Sequence, residues 1–144
     1  WIAQACTKIQ GQFTSAASSI AQKATKAAVE ADPKVVDHMR EAFRKRRDLV
    51  VDLLGKVPGF KVNNPDGAFY VLPEISGLLG KSYGHFTINT SDDLCNYLLE
   101  EAHVAAVAGE PFGATNCIRL SYASSEETLI KAIERIKTAT QKLV

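Results

Sequence analysis

The sequence is short of the features that most often give a small protein away. Cys6, Cys95 and Cys117 are scattered and odd in number, which is poor material for a disulfide framework and fits a reducing, cytoplasmic compartment. His38, His85 and His103 have no metal-ligand spacing to one another or to cysteine, so no metal is expected. No apolar run approaches the ~20 residues of a membrane-spanning helix. No charged segment followed by an apolar one opens the chain, so no signal peptide is expected either. Neither sign of charge is in surplus: 17 Lys and Arg against 16 Asp and Glu leave a net charge of +1. That removes the bulk electrostatic case for nucleic acid or an anionic membrane. Internal repeats are also missing. The chain opens on Trp1 within an already amphipathic stretch, WIAQACTKIQ, and therefore reads as a piece of a longer protein.

What is present is ordinary globular material: 144 residues, 46% hydrophobic and 23% charged. A chain of this length can bury one sizeable core. Ile2, Ala5, Cys6 and Ile9 recur at helical spacing with Gly11 placed to stop the helix. After GQFTS, Ser18 and Ser19 introduce an alanine-rich helix, IAQKATKAAVEA, whose methyl groups bury little alone. Asp32 as N-cap and Pro33 at the first helical position begin a long helix that ends at Leu54, before Gly55. Its stripe is Val36, Met39, Phe43, Val50 and Leu54, and its length, about 33 Å, suits a connector between two bodies.

VPGFKVNNPDGAFYVLP reads as a hairpin, Phe60 to Asn63 against Ala68 to Leu72, turning at Pro65-Asp66-Gly67. Residues 73–90 read as loop. Ser91 caps a helix carrying Leu94, Leu98 and Leu99, Val104 to Val107 makes a third strand, and CIRLSYA a fourth. Ser124 and Glu127 form a capping box ahead of Leu129, Ile133, Ile136 and Leu143. The order predicts an α+β fold: a small, mostly antiparallel sheet with helices packed on one face, preceded by a long helix and an N-terminal helical arm.

Four stretches invite a chemical reading. RKRR, Arg44 to Arg47, has Glu41 four before Lys45 and Asp48 four after Arg44, the pattern of a solvated, ion-paired helix face. SGLLGKS lacks the first glycine of a phosphate loop, having Ile75 there, and reads as a turn. Cys95 lies in an apolar helical stretch with nothing to lower its pKa, so it reads as a structural thiol and not as a nucleophile for His103. Arg119 differs from all of these. In CIRLSYA, Ile118, Leu120 and Tyr122 share one face, while the other carries Arg119 among Cys117, Ser121 and Ala123. A strand-borne arginine with small neighbours has room above it for an anion, and its fork matches a carboxylate. On the residue pattern alone a surface salt bridge is the stronger reading.

NNPDGAFYVLP, AGEPFG and CIRLSYASS occur here in the order and at intervals like those of class I, pyridoxal-phosphate-dependent aminotransferases. WIAQACTKIQGQFTS followed by SIAQKA resembles their bacterial aspartate aminotransferase branch, so the resemblance runs over essentially the whole chain. It implies that residues 32–144 are the aminotransferase small domain and residues 1–31 the last part of the large, cofactor-binding domain. It implies transfer of an amino group between aspartate and 2-oxoglutarate, with amino-acid and 2-oxo-acid substrates, in a cytoplasmic homodimer. Arg119 matches the family arginine that binds the substrate α-carboxylate. Phe69 matches a pocket wall, and Thr14 and Ser15 match a segment that approaches the partner's active site. The family holds pyridoxal phosphate, an electron sink, on a lysine in a serine-lysine segment before a glycine-arginine stretch. No lysine here has that context, so no catalytic residue is assigned, and the isolated chain is expected to bind no cofactor and to be inactive. Two alternatives stay open: an aromatic or broad-range aminotransferase domain, and a non-catalytic α+β module that binds a partner or itself through the arm from Trp1 to Ala31.

Overall fold

Helical spacing at the start of the chain produces α1 (Ile2–Phe13) in the computed structural model, which describes residues 1–13 and 16–144. The helix runs through Gly11 instead of stopping there, since an exposed helical glycine costs only about 1 kcal/mol. Ser18 caps α2 (Ser19–Glu30), its Oγ accepting the Ala21 N–H at 3.2 Å. Neither helix buries a side chain. These elements belong to the first of two compact units, Trp1–Asp37; the second is His38–Val144.

Asp32 does cap, accepting the Lys34 N–H at 2.9 Å, but what it caps is a 3-10 turn, Pro33–Val36. The α-helix proper, α3, is Asp37–Leu54, and Gly55 follows it as expected. Its stripe is buried only over the last turns: Val50 and Leu54 are inside, Phe43 is half-buried, and Val36 and Met39 are exposed.

The expected hairpin does not form. Lys61 bridges Glu74 instead, with backbone hydrogen bonds of 2.9 and 2.8 Å. Ala68 at φ 60° and Pro65, which has no N–H, keep the intervening chain out of a tight ladder. The short strand β1 (Tyr70–Val71) is freed to pair elsewhere. Residues 73–90 hold more structure than a loop: a 3-10 turn, Ser76–Leu78, and a small hairpin of β2 (Ser82–Tyr83) and β3 (Phe86–Thr87). Gly84, at φ 59°, takes the first position of that two-residue turn, a signal visible in YGHF.

Next come α4 (Ser91–Ala102), β4 (Val107–Ala108), β5 (Ile118–Ser121) and α5 (Glu126–Thr140). Thr90, not Ser91, caps α4, in a reciprocal box with Asp93, because Thr90 keeps the extended backbone a cap requires. Hydrogen bonds to that carboxylate, from the Thr90 hydroxyl, the Asn89 backbone and the Thr90 backbone, hold the Asp93 pKa below its ordinary value. Ser125 caps α5 by accepting the Thr128 N–H at 3.2 Å, displacing the expected Ser124–Glu127 box. Leu99 faces solvent and not the core. The third strand lies later than Val104 to Val107, and Val104 is buried outside the ladder.

The sheet order is β1-β5-β4, antiparallel throughout, with Tyr70 opposite Ser121 and Val107 opposite Arg119. Ile118, Leu120 and Tyr122 join Val50 and Leu54 of α3, Leu94 and Leu98 of α4, and Leu129, Ile133 and Ile136 of α5 in one core. The hydroxyl of Tyr97 ties α4 to α5 by donating to the Ala139 carbonyl at 2.8 Å. Burial raises the Tyr97 pKa to about 12, with Glu101 and Tyr83 adding to it, so the hydroxyl stays a donor. The architecture is α+β, with helices on the inner face of the sheet and Arg119 on the outer one.

Candidate functional site

Alternation along β5 turns Ile118 and Leu120 inward and leaves Arg119 half-buried on the opposite face. Tyr70 pairs with Ser121, two residues beyond Arg119, so it is a diagonal cross-strand neighbour on the same face. Its ring lies 4.5 Å from the Arg119 guanidinium carbon. Phe112 comes from the other flank and lies 4.4 Å from the same carbon. It is carried on a 3-10 turn, Glu110–Phe112, that leaves β4 through Gly109. Gly109 donates to the Cys117 carbonyl at 2.8 Å, and its own carbonyl accepts from Phe112 at 2.9 Å and Ala114 at 3.1 Å. A Cβ at Gly109 would collide with the Ala114 and Cys117 carbonyl oxygens, so only glycine fits where this loop folds back on β5.

Arg119 thus stands on the middle strand of three, flanked by an aromatic ring from each side. Among the described residues its guanidinium has no hydrogen bond or ion pair with another side chain. Rings that cover the faces of a guanidinium leave its N–H groups, which lie in its plane, open to a planar anion. A carboxylate approaching edge-on is the natural partner. The small neighbours expected around Arg119 are there, but Tyr70 and Phe112 define its surroundings. Neither was singled out from sequence, since the residues are 42 positions apart and meet only through β5. The only available signal was the presence of Phe112 within AGEPFG and of Tyr70 within GAFY.

Phe69 lies 4.4 Å, ring to ring, from Tyr70, which is therefore the common neighbour of Phe69 and Arg119. It lines a cleft of about 560 Å³ with Arg40, Phe43, Arg44, Arg47 and Tyr122. Thr14 and Ser15 lie outside the described residues. Cys117, just before β5, bridges Glu74, and burial raises its thiol pKa, with the Glu74 charge adding to the rise. Burial, helped by Asp92, pushes Cys95 up to about 11, and His103 is the exposed left-handed cap of α4. That pair makes no nucleophile. SGLLGKS is a turn region whose Gly80 donates to Ile88, with no helix behind it. In RKRR the pairing differs from expectation: Arg44 meets Glu41 at 2.6 Å and Arg47 meets Asp48 at 2.7 Å.

Among the described residues no cluster of His, Cys, Asp and Glu could hold a metal, and no helix is long and apolar enough to cross a membrane. Pyridoxal phosphate would need an amine for its aldehyde and donors for its phosphate. Among the described residues no lysine is hydrogen-bonded to, or stacked on, Arg119, Tyr70 or Phe112, and none lines the cleft beside Phe69. These residues fit a carboxylate and do not complete a seat for that cofactor.

The family model for aminotransferase class I and II matches residues 1–136. A Petunia hybrida protein named bifunctional aspartate aminotransferase and glutamate/aspartate-prephenate aminotransferase is 49% identical over 139 residues, 94% of this chain and 29% of that one. An aspartate aminotransferase of Rhizobium meliloti is 43% identical over 141 residues, 97% of this chain and 34% of that one. A crystal structure of the aspartate aminotransferase from Rhizobium meliloti superimposes with a TM-score of 0.88 at 42% identity, covering 98% of this chain and 36% of its own. The chain spans about a third of the length of these relatives.

Proposed function

The chain belongs to the class I and II aminotransferases, and from that premise we propose that it is the C-terminal domain of an aspartate aminotransferase. In the holoenzyme it exchanges an amino group between aspartate and 2-oxoglutarate, and Arg119 clamps the α-carboxylate that both substrates share. The observation that carries this reading is Arg119, whose guanidinium carbon lies over two aromatic rings and whose fork, among the described residues, has no carboxylate partner. A clamp of that kind fixes the substrate's Cα–H bond for proton transfer, and positioning of this sort is a large part of catalysis. The Schiff-base lysine and the phosphate donors of pyridoxal phosphate come from other parts of the holoenzyme. Residues 1–31 belong to its large domain and residues 32–144 form its small domain. Phe69 walls the substrate pocket, and Thr14 and Ser15 approach the partner's active site in a cytoplasmic homodimer. Free Cys6, Cys95 and Cys117 are in keeping with a reducing compartment.

A second reading has a specific support, the bifunctional name of the petunia relative. Prephenate is also a 2-oxo acid, and an arginine that reads only the α-carboxylate would accept it. The test is to assay the holoenzyme with aspartate and 2-oxoglutarate, with prephenate as acceptor, and with phenylalanine as donor. The proposal requires the largest kcat/KM for aspartate with 2-oxoglutarate. A larger value for phenylalanine would make it an aromatic aminotransferase, and no transamination with any pair would refute the assignment.

A further inference from the structure

Arg119 could have been held by a carboxylate, as Arg44 and Arg47 of α3 are, and instead it lies over two rings. The choice has a chemical consequence. A carboxylate partner would occupy the N–H groups that a ligand needs, whereas an aromatic ring attracts the cation through its face and leaves every N–H free. The two rings are also fixed by different means. Tyr70 is set by the β1–β5 register, and Phe112 by the turn that Gly109 and Gly113 make possible, Gly113 at φ 74° donating to the Glu110 carbonyl at 2.9 Å. Long arginine side chains lose much rotamer freedom when ordered, so a guanidinium ordered beforehand loses less on binding.

We propose that Tyr70 and Phe112 are positioning residues, which hold the plane of the Arg119 guanidinium so that only its edge is presented to a substrate carboxylate. This rests on the reading of Arg119 as a carboxylate clamp. Phe112 is 50% exposed, on a surface turn, and it covers the outer flank of the site. A ligand carboxylate therefore enters in the plane between the rings and not over either face. The rings contribute alignment and no hydrogen bond to the ligand. Replacing an aromatic ring by another keeps this function; replacing it by an aliphatic side chain of similar bulk removes it.

The test is NMR of the 144-residue chain labelled with 15N at arginine, with succinate as the carboxylate probe. The Arg119 Nε–Hε signal is assigned by its loss in Arg119→Lys. Two ring faces at this distance shield it, so it is expected upfield of the other arginine signals. In Phe112→Leu it moves back toward them, and in Phe112→Trp it stays shifted. Succinate moves the signal in the wild type, and Phe112→Leu needs about 3- to 10-fold more succinate for the same response. Tyr70→Leu serves as the second variant should Phe112→Leu not fold. An unchanged signal and unchanged succinate response in both leucine variants would overturn the positioning role while leaving the clamp intact. A wild-type signal that does not respond to succinate would instead overturn the clamp, and the positioning role with it.

Discussion

Arg44 and Arg47 of α3 and Arg119 of β5 are the same side chain in opposite surroundings. On α3, Arg44 and Arg47 are within 2.6 and 2.7 Å of Glu41 and Asp48, so their charge is answered on the same helix. On β5, Arg119 has aromatic rings at 4.5 and 4.4 Å, and among the described residues no side chain hydrogen-bonds to its fork. RKRR is by far the denser run of positive charge, yet our proposal gives the ligand to the isolated arginine. Density of charge says little about binding; what matters is whether the fold has already answered it.

Four substitutions break or sharpen this contrast. The largest change in stability belongs to the inner face of the strand that carries Arg119. Ile118 is fully buried, and Ile118→Ala should cost about 2–5 kcal/mol in urea unfolding, while Arg119→Lys on the outer face should leave stability within about 1 kcal/mol. A comparable loss from both would mean that Arg119 is structural. Arg47 comes next. Besides its pair with Asp48 it donates to the Pro65 carbonyl at 3.3 Å from a partly buried position, so Arg47→Ala should cost about 1 kcal/mol. Arg44→Ala removes only an exposed pair and should cost less than about 0.5 kcal/mol, with high salt erasing the difference.

The smallest effect is a pH dependence at the edge of the sheet. Hydrogen bonds from Ser76 and then Lys61, with the charge of Lys61 adding to them, hold the Glu74 carboxyl below its ordinary pKa. A depressed folded-state pKa means that Glu74 stabilises the fold above the unfolded value of about 4.3, and that this contribution is lost as the pH falls through the folded value. Glu74→Gln should therefore flatten the acid limb of stability below about pH 4.3 and lower stability slightly at pH 7, where the ionised carboxylate contributes. A steeper limb in the variant would contradict the sign of the shift.

Much of this molecule was legible from residue pattern. The alternation of CIRLSYA placed Arg119 on the outer face, and the periodicity of α4 and α5 picked out Leu94, Leu98, Leu129, Ile133 and Ile136 as core. Local capping was read to within one residue, Thr90 for Ser91 and Ser125 for Ser124, because neighbouring hydroxyls compete and only the backbone angle decides between them. What sequence could not give was partner choice over distance. NNPDG promised a hairpin, yet β1 found β5 and Lys61 found Glu74, because strand pairing is settled by the whole core and not by the turn. The same limit hid Tyr70 and Phe112: each is an ordinary aromatic in its own segment, and their relation to Arg119 exists only once β1, β5 and the turn after β4 are in place.

The most direct test of the clamp is the rate of transamination from aspartate to 2-oxoglutarate by the holoenzyme with Arg119→Lys. Lysine keeps the charge and loses the planar fork, so kcat/KM for aspartate should fall by about 10²-fold or more with the fold intact. Turnover close to that of the wild type would show that the carboxylate is held elsewhere.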